Sequence, residues 1–275
     1  MIKLLKIEWM KIKRYNAFIV ISSFFVLGVF FANYLAYNFK KNVIDQADPT
    51  GFLSSGSPFG FPKVWQTTSY YSGLLLLLPG MLLLILVTNE FTYRTHRQNI
   101  IDGISHIQFT QVKLLLGFIT AVACTILVFL TALIFGFVIN SGSFSFEGIQ
   151  NIGFFFLKAL TYNFLAILIG VLIRRTGFAI AVYFIYTVVE NGISLLLYVL
   201  AIRLKRDHST DLGNLGNYLP MNASDGLLYS PLDSITGLAH KILPADYTWL
   251  VLSLAVIYLV LFYFWSERRM VKSDL

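Results

Sequence analysis

The longest run of charged, amide and hydroxyl side chains in the first half of the chain is TNEFTYRTHRQNIIDGISHIQFTQVK, from Thr88 to Lys113. Acid–base, nucleophilic or metal chemistry would require such groups to converge at one point. The sequence holds neither an HExxH motif nor a cysteine–histidine set with zinc spacing, and none of its four histidines lies in a long apolar stretch. It also lacks a GxxxxGK[ST] motif for ATP. We therefore predict no enzyme, no catalytic residue, no metal and no cofactor in this chain.

Two ionisable residues, Lys158 and Glu190, lie inside long apolar stretches. Charges at membrane depth are unfavourable and usually pair or face a cavity. Both residues fall about 10 Å below the same membrane surface, at ~1.5 Å per helical residue. We predict a buried ion pair between them, with Asn191 nearby. In the alternative, Lys158 extends outward to the interface and Glu190 is protonated or faces water.

Pro79 and Gly80 interrupt the apolar run LLLLLPGMLLLIL. Proline removes one helical hydrogen bond and bends the helix, which membrane helices tolerate where neighbours or water compensate. The two residues predict either a hinge beside a pathway or a static kink.

The elements that must position these residues are membrane-spanning helices. The chain is 57% hydrophobic, 16% aromatic and 13% charged, with a mean hydropathy of +0.71, which is too apolar for one soluble domain of 275 residues. Because the apolar runs are continuous rather than alternating, we predict an all-α integral membrane protein and not a barrel. The single cysteine, Cys124, excludes an internal disulfide.

Six stretches reach the roughly 20 apolar residues that a membrane span needs, and we predict that they form one transmembrane domain over residues 1–275. The predicted spans are residues 17–38, 69–88, 114–139, 152–173, 177–202 and 247–266.

The lysines and arginines outside these spans lie mainly on one side. Thirteen fall on the side of the two termini and seven on the other, and the net charges of the two sides are +8 and −1. The positive-inside rule therefore places both termini in the cytoplasm, so the basic excess marks topology and not nucleic-acid binding. Residues 40–68 and 203–246 become extracellular loops. Turn formers and short apolar runs in the second loop are compatible with short helices that fold back into the outer leaflet.

Residues 1–16 form an amphipathic pattern before the first span. Ile2, Leu5, Trp9 and Ile12 recur on one helical stripe among basic residues. We predict an interfacial helix with Trp9 at headgroup depth and its cations toward anionic lipid. The alternative is an ordinary basic flank of the first span.

The polar segment described at the outset connects the second and third spans on the predicted cytoplasmic side. Ile100, Ile104 and Ile107 follow the spacing of one helix face, with Ile101 at its edge. Gly103 weakens such a helix by about 1 kcal/mol relative to alanine, and a helix this short is marginal alone. The isoleucine face therefore predicts a covering surface, either the membrane interface or a groove on a soluble partner.

Three segments resemble permeases of the ABC-2 superfamily, the membrane subunits of ATP-binding-cassette exporters. The first is NEFTYRTHRQNIIDGISHIQFTQVKLL, which is similar to that family's N-E-F/Y-x-x-G/R-T-x-R-Q run and the glycine, lysine and span that follow it. The opening LLKIEWMKIKRYNAF resembles the family's L-x-x-E-x-x-K-x-x-R-x-x-x-F pattern, and the tail FWSERRMVKSDL resembles its ending. The likeness extends to length, six-span layout and loop placement. Arg94 departs from it, since many members have glycine there.

The resemblance implies a permease that pairs with an identical or homologous second permease and docks on two separate cytoplasmic ATPases, which bind ATP and magnesium. Residues 88–113 would contain the coupling helix that enters a groove of the ATPase. The positions implied for this coupling are Glu90, Tyr93, Arg94, Arg97, Gln98, Asn99, Asp102 and Gly103. The second and fifth spans would line the translocation path, with candidates Tyr70, Tyr71, Tyr183, Tyr186, Glu190 and Asn191. For each tyrosine, a place in the aromatic belt or in helix packing is the alternative.

We therefore predict the transmembrane subunit of an ATP-driven exporter, multi-pass in a bacterial plasma membrane. Aromatic-rich, nearly uncharged spans favour an amphipathic peptide, antibiotic or lipid-like substrate over an ion. The alternative is a scaffold or channel-like membrane protein without an ATPase partner.

Overall fold

The computed structural model describes residues 2–39, 41–42, 59–101, 103, 105–139, 144–208, 211–231, 244–245 and 247–271. Across these ranges the regular structure is helical, without strands. The helices are α1 (Ile2–Ile12), α2 (Asn16–Phe39), α3 (Val64–Gly73), α4 (Leu77–Thr92), α5 (Thr95–Ile101), α6 (His106–Ile139), α7 (Gln150–Ile173), α8 (Thr176–His208), α9 (Asn222–Asp225) and α10 (Thr248–Val271), with a 3-10 turn, η1 (Leu215–Tyr218), before α9.

Helices long and apolar enough to cross a membrane coincide with the predicted spans. They are α2, α6, α7, α8 and α10, and the α3–α4 pair makes a sixth crossing if it counts as one bent span. The all-α membrane class is therefore confirmed. The helices exceed the predicted limits, since α6 begins at His106 and α8 continues to His208. Hydropathy marks the apolar part of a helix, whereas helical hydrogen bonding continues into polar flanks.

The central helix of the bundle is α7. Its most apolar window is 78% buried, against 17% for α2, α8 and α10. It packs against α3, α4, α6, α8, α9 and α10. A helix that is apolar all round is stable in such a position, while the outer helices keep wide apolar faces that suit lipid.

The α3–α4 pair bends by 43° at residues 74–76, one turn before Pro79. Pro79 has no N–H to donate to the Leu75 carbonyl four residues earlier. That carbonyl instead accepts from the Leu78 N–H at 3.0 Å, which tightens the chain at the break. The interruption predicted from Pro79 is thus present. It lies one turn before the proline, beside the Leu75 carbonyl, to which Pro79 cannot donate a hydrogen bond.

Gly80 provides a close helix contact beside this bend. A Cβ at Gly80 would lie 2.2 Å from the hydroxyl oxygen of Tyr183 on α8 and 3.3 Å from the Tyr162 carbonyl on α7. Tyr183 is buried and donates its hydroxyl to that carbonyl at 3.4 Å. The missing side chain at Gly80 therefore lets α4, α7 and α8 meet at one point.

Hydrogen bonds tie the helix ends together at both ends of the bundle. At one end, Asn89 at the end of α4 accepts from Thr176 at 3.4 Å and donates to the Tyr15 hydroxyl at 2.9 Å. At the other end, the Trp65 indole donates to the Ser145 carbonyl at 2.9 Å. The first end contains α1 and the chain segments predicted to be cytoplasmic; its assignment to the cytoplasm stays a prediction.

Replacing Gly80 with alanine measures how much the α4–α8 contact contributes to the stability of the fold. We expect Gly80→Ala to lower stability by about 1–3 kcal/mol, because the new Cβ meets the Tyr183 hydroxyl. Thermal unfolding of the purified chain in detergent gives the readout, and Tyr183→Phe should recover part of the loss. Gly153→Ala is the matched control, since a Cβ there meets nothing within 4 Å. Equal unfolding temperatures for the two alanine variants would refute the close-contact explanation.

Candidate functional site

Four charged side chains from three helices meet in a buried group that we name the charge cluster: Glu8 and Lys11 of α1, Glu90 of α4 and Lys113 of α6. The Lys113 ammonium bonds the Glu8 carboxylate and lies 2.5 Å from Glu90 Oε1. Lys11 Nζ lies 3.1 Å from Glu8 Oε1 and 3.3 Å from Glu90 Oε1. Two ammonium groups thus balance two carboxylates, and α1 is fastened to α4 and α6.

Lys113 is the buried centre of the charge cluster. Its side chain is 2% exposed, and those of Glu90 and Glu8 are 8% and 10% exposed. Its ammonium also lies 5.3 Å from the centre of the Phe109 ring. A charge so far from water is tolerated only with close partners of opposite sign. Lys11 differs, because its side chain is 40% exposed and its ion pairs are partly screened by solvent.

The pKa shifts in α1 follow from these contacts. Burial would raise the pKa of the Glu8 carboxyl, but Lys113 and then Lys11 outweigh burial and lower it below the usual 4.5. Burial would likewise lower the pKa of Lys11, but Glu90 and Glu8 raise it above 10.5. Both shifts favour the charged forms, so α1 presents an ionised pair at neutral pH.

The short helix α5 is attached to the charge cluster through Glu90. The Asn99 amide of α5 donates to Glu90 Oε2 at 3.4 Å, and the Thr95 hydroxyl donates to the Glu90 carbonyl at 3.4 Å. The same carboxylate contacts Lys113 and Lys11. One glutamate therefore links α5 to α1 and α6 as well as to its own helix.

Five of the eight residues predicted for coupling fall into two groups, a base that contacts the charge cluster and an outer surface that is exposed. Glu90 and Asn99 form the base, in and against the charge cluster. Tyr93 is 73% exposed, and Arg94 and Gln98 are also exposed. The other three are Gly103, in the turn after α5, and Arg97 and Asp102, whose side chains lie outside the described residues.

Arg94 adopts the left-handed backbone conformation, with φ 58°. Glycine enters that region at little cost, whereas other residues lose roughly 1–2 kcal/mol. At the turn between α4 and α5, Arg94 therefore takes a backbone conformation that glycine would adopt more easily.

The single helix expected to carry Ile100, Ile104 and Ile107 is not formed, which corrects the predicted isoleucine face. The helix α5 ends at Ile101, the chain turns at Gly103 with φ 93°, and α6 begins after the turn. Ile100 and Ile107 therefore belong to different helices, and Ile104 lies outside the described residues. The physical reason is Gly103, because a glycine with positive φ ends a helix more readily than it continues one. Ile101 at the end of α5 is 84% exposed.

At the other end of the bundle, Lys158 and Glu190 bind different partners, which corrects the predicted ion pair. Lys158 Nζ lies 3.3 Å from Asp225 Oδ1 of α9. The Tyr162 hydroxyl donates to Asp225 Oδ2 at 2.9 Å. We predicted that Lys158 and Glu190, the two charges within the spans, pair with each other. The lysine instead contacts Asp225, which belongs to the segment after α8.

Glu190 instead holds the start of α9. Its Oε1 accepts from the backbone N–H groups of Met221 at 2.6 Å and Asn222 at 2.9 Å. Residues 211–231 thus fold back onto α7, α8 and α10, partly as the short helices anticipated for the second large loop. Asn191, expected beside the ion pair, is exposed and donates to its own helix.

The path candidates on the second and fifth spans lie in unlike surroundings. Tyr70 and Tyr71 are half-buried on α3, with ring centroids 5.4 Å apart. Tyr183 is 2% exposed and packs against Gly80, which fits the packing alternative. Tyr186 is half-buried one turn before Glu190, and its role in a path stays a prediction.

Sequence reasoning missed Glu8, Lys11 and Lys113 as one site, and it missed Asp225 as the partner of Lys158. A signal for the first three was present, because the resemblance patterns contain the glutamate and lysine of the opening and the lysine before the third span. Nothing comparable marked Asp225. In the parts of the chain that the structure describes, no group of three or more metal-ligating side chains comes together.

Residues 4–191 match the model of a family described as ABC-2 family transporter protein. The match covers more than half of the chain, so the chain belongs to this family, and the resemblance is confirmed. It is a multi-pass membrane component of an ABC transport system, a class that generally works with separate ABC ATPases. A search of curated proteins found no match. The matched range includes the entire charge cluster.

The charge cluster predicts unequal consequences for its two lysines. Lys113→Met leaves two buried carboxylates with one partly exposed ammonium, and we expect a loss of about 3–5 kcal/mol in unfolding free energy. Adding Glu90→Gln restores neutrality and should recover more than half of that loss. Lys11→Met, the control at the exposed lysine, should lose about 1 kcal/mol or less. Denaturant unfolding in detergent provides the comparison, and equal losses at both lysines would contradict the assignment.

The lowered pKa of Glu8 predicts that α1 loosens only in acid. A carboxyl with a depressed folded pKa contributes its full stability above the unfolded pKa, about 4.5 here, and loses it as pH falls through the folded value. Hydrogen exchange of the α1 amides, corrected for its intrinsic pH dependence, should therefore rise below pH 4.5. In Glu8→Gln the exchange should already be fast at neutral pH and lack the acid step. A wild-type step near neutral pH would be inconsistent with this account.

Proposed function

We propose that the chain is the transmembrane subunit of an ATP-driven exporter and that residues 88–113 dock it on cytoplasmic ATPase subunits. The observation that carries the proposal is the two-sided character of α5 and its flanks. The base is bonded to the charge cluster through Asn99 and Glu90, while Tyr93 and Ile101 are 73% and 84% exposed. Large apolar side chains at the surface of a polar segment are typical of a protein-binding site.

Movement of α5 would pass into the bundle through the charge cluster. Glu90 lies at the end of α4 and contacts Lys113 near the start of α6, and these helices have 16 and 34 residues. Buried ionic contacts at close distance resist gradual deformation, so a displaced α5 would shift these helices as bodies. ATP and magnesium would act in the partner subunits, whose two states bias the permease.

The contact at Gly80 extends this connection toward the other end. Tyr183 of α8 packs on Gly80 of α4, and Glu190 follows about two turns later on α8. Glu190 in turn holds the start of α9. A shift of α4 against α8 would therefore strain the contacts that keep residues 211–231 folded onto the bundle. We assign these contacts to an outer gate, with the path along α3, α4 and α8.

A second permease subunit, identical or homologous, completes the proposed transporter. The spanning helices α2, α8 and α10 keep most of their apolar windows exposed, and α8 alone presents Phe184, Val188 and Leu195 at its surface. Such faces suit lipid or a twofold-related subunit. The whole of residues 1–275 would act as one permease domain in a bacterial plasma membrane.

The proposed cargo is an amphipathic peptide, antibiotic or lipid-like molecule that moves outward. The described spanning helices carry many aromatic side chains, and the two charged residues within the predicted apolar spans, Lys158 and Glu190, contact α9 and its start. A path of this kind offers apolar and aromatic contacts rather than the repeated charges of an ion pore.

The docking surface is tested by co-purification of the tagged full-length chain from its native membranes. We expect a P-loop ATPase to co-purify, and Ile101→Glu to weaken its retention roughly 30-fold, as for a hot-spot residue of about 2 kcal/mol. Phe146→Glu is the control, since Phe146 is 61% exposed in the connection before α7. Retention of the ATPase by Ile101→Glu would refute this docking surface. Absence of any ATPase from the wild-type preparation would support the scaffold or channel alternative.

A further inference from the structure

A cavity of about 550 Å³ lies between α1, α2, α4 and α6. Its volume falls within the roughly 300–1,000 Å³ typical of small-molecule sites. Its walls are almost entirely aliphatic and aromatic, with Ser22, Thr120 and Cys124 as exceptions. The Thr120 hydroxyl is already bonded to the Leu116 carbonyl at 2.8 Å. The walls thus offer few hydrogen-bonding groups, and the part of a ligand that fits them is a hydrocarbon.

The cavity opens sideways, away from the centre of the bundle. Trp9, Val26 and Ile119 line it and are 54%, 39% and 41% exposed. Its deep wall is formed by Ile12 and Leu83, which are buried. An opening between outer helices of a membrane protein faces the acyl chains of the bilayer, so lipid can enter without crossing water.

Helix α1 places basic side chains beside this opening. Leu5, Trp9 and Ile12 line the cavity on one stripe of α1. At roughly 100° per residue, Lys6 and Lys13 fall on the next stripe, on the Trp9 side and away from Glu8. Both lysines are exposed. One face of α1 thus enters the charge cluster, the next lines the cavity, and the third carries Lys6 and Lys13 on the side of Trp9.

We propose that this cavity holds an acyl chain of an anionic membrane phospholipid, whose phosphate headgroup meets Lys6 and Lys13. The apolar walls select the chain, the lateral opening admits it from the bilayer, and the two lysines select the anionic headgroup. The site lies on α1, α2, α4 and α6, apart from α8 and its contacts with α9. It is a resident lipid site that packs α1 against the bundle, and it does not depend on the proposed export function.

Lipid retention by the full chain tests whether Lys6 and Lys13 bind the anionic headgroup. The chain is reconstituted in phosphatidylcholine bilayers with or without phosphatidylglycerol, extracted, and weighed by native mass spectrometry. Wild type should retain one phosphatidylglycerol per chain in preference to phosphatidylcholine. The double variant Lys6→Gln/Lys13→Gln should retain roughly 30-fold less, since each surface lysine contributes about a fivefold attraction to anionic lipid. Arg268→Gln/Arg269→Gln removes two exposed cations from α10 and should leave retention unchanged.

Filling the cavity with a larger side chain tests whether an acyl chain occupies it. Ala123 lines the cavity and is exposed, so Ala123→Phe adds a ring to the space without displacing a packed neighbour. It should abolish lipid retention, as should Ser22→Phe from another wall. Ala181→Phe on an exposed face of α8 is the matched control and should retain lipid. An unaltered unfolding temperature in either filled variant shows that lost retention is not lost folding.

Three outcomes would overturn the lipid site. They are retention in both filled variants, equal retention of the two lipids with no effect of the lysine changes, and ATP-dependent movement of the retained phosphatidylglycerol to the opposite leaflet by the reconstituted complex. The last outcome would make the lipid a cargo. Failure to find an ATPase would defeat the export proposal but leave retention as predicted, so the two failures are distinguishable.

Discussion

The burial of the Lys113 ammonium is the constraint on which the arrangement of this end of the bundle depends. A charge that is 2% exposed needs carboxylates at contact distance, and α6 supplies none, so Glu90 must come from α4 and Glu8 from α1. This requirement fixes where α1 lies. It also turns α1 so that Leu5, Trp9 and Ile12 form a wall of the cavity. The position of the N-terminal helix thus depends on this ammonium group as well as on the apolar stripe, of which Ile12 is buried in the core.

At the opposite end of the bundle, the buried charges of Glu190 and Lys158 are stabilised in a different way. Glu190 is buried and accepts two backbone N–H groups at the start of α9, while Lys158 contacts the carboxylate at the end of that short helix. The start and the end of this short helix thus contact two charged side chains that lie on different helices. The partners of Glu190 and Lys158 lie in a connecting segment, whereas the charge cluster consists of side chains on three helices. In the proposed transporter, the first arrangement would suit a part that opens, and the second a part that transmits force.

The sequence predicted what depends on apolar length and missed what depends on partners far apart in the chain. The apolar spans and the interruption near Pro79 follow from local pattern, and the structure contains five spanning helices and the bent α3–α4 pair at the predicted positions. The Lys158–Glu190 pair was wrong because depth in the membrane says nothing about a loop residue such as Asp225, 67 positions later. The charge cluster joins residues 105 positions apart, from Glu8 to Lys113. No periodicity reports such a contact, although the family resemblance already contained its members.

The break at Gly103 makes the segment proposed for docking depend more on its surroundings. A continuous helix through Ile107 would already have been marginal alone, and α5, with seven residues, is too short to persist unaided. Its shape must be imposed at its base, where Asn99 and Thr95 bond Glu90. Arg94 and Gly103, both with positive φ, bound the segment and give it sharp turns at either end. In the proposed docking role, α5 would pass a displacement to α4 and α6 only while Glu90 keeps its contact with Lys113, so that α5 and the charge cluster would move together.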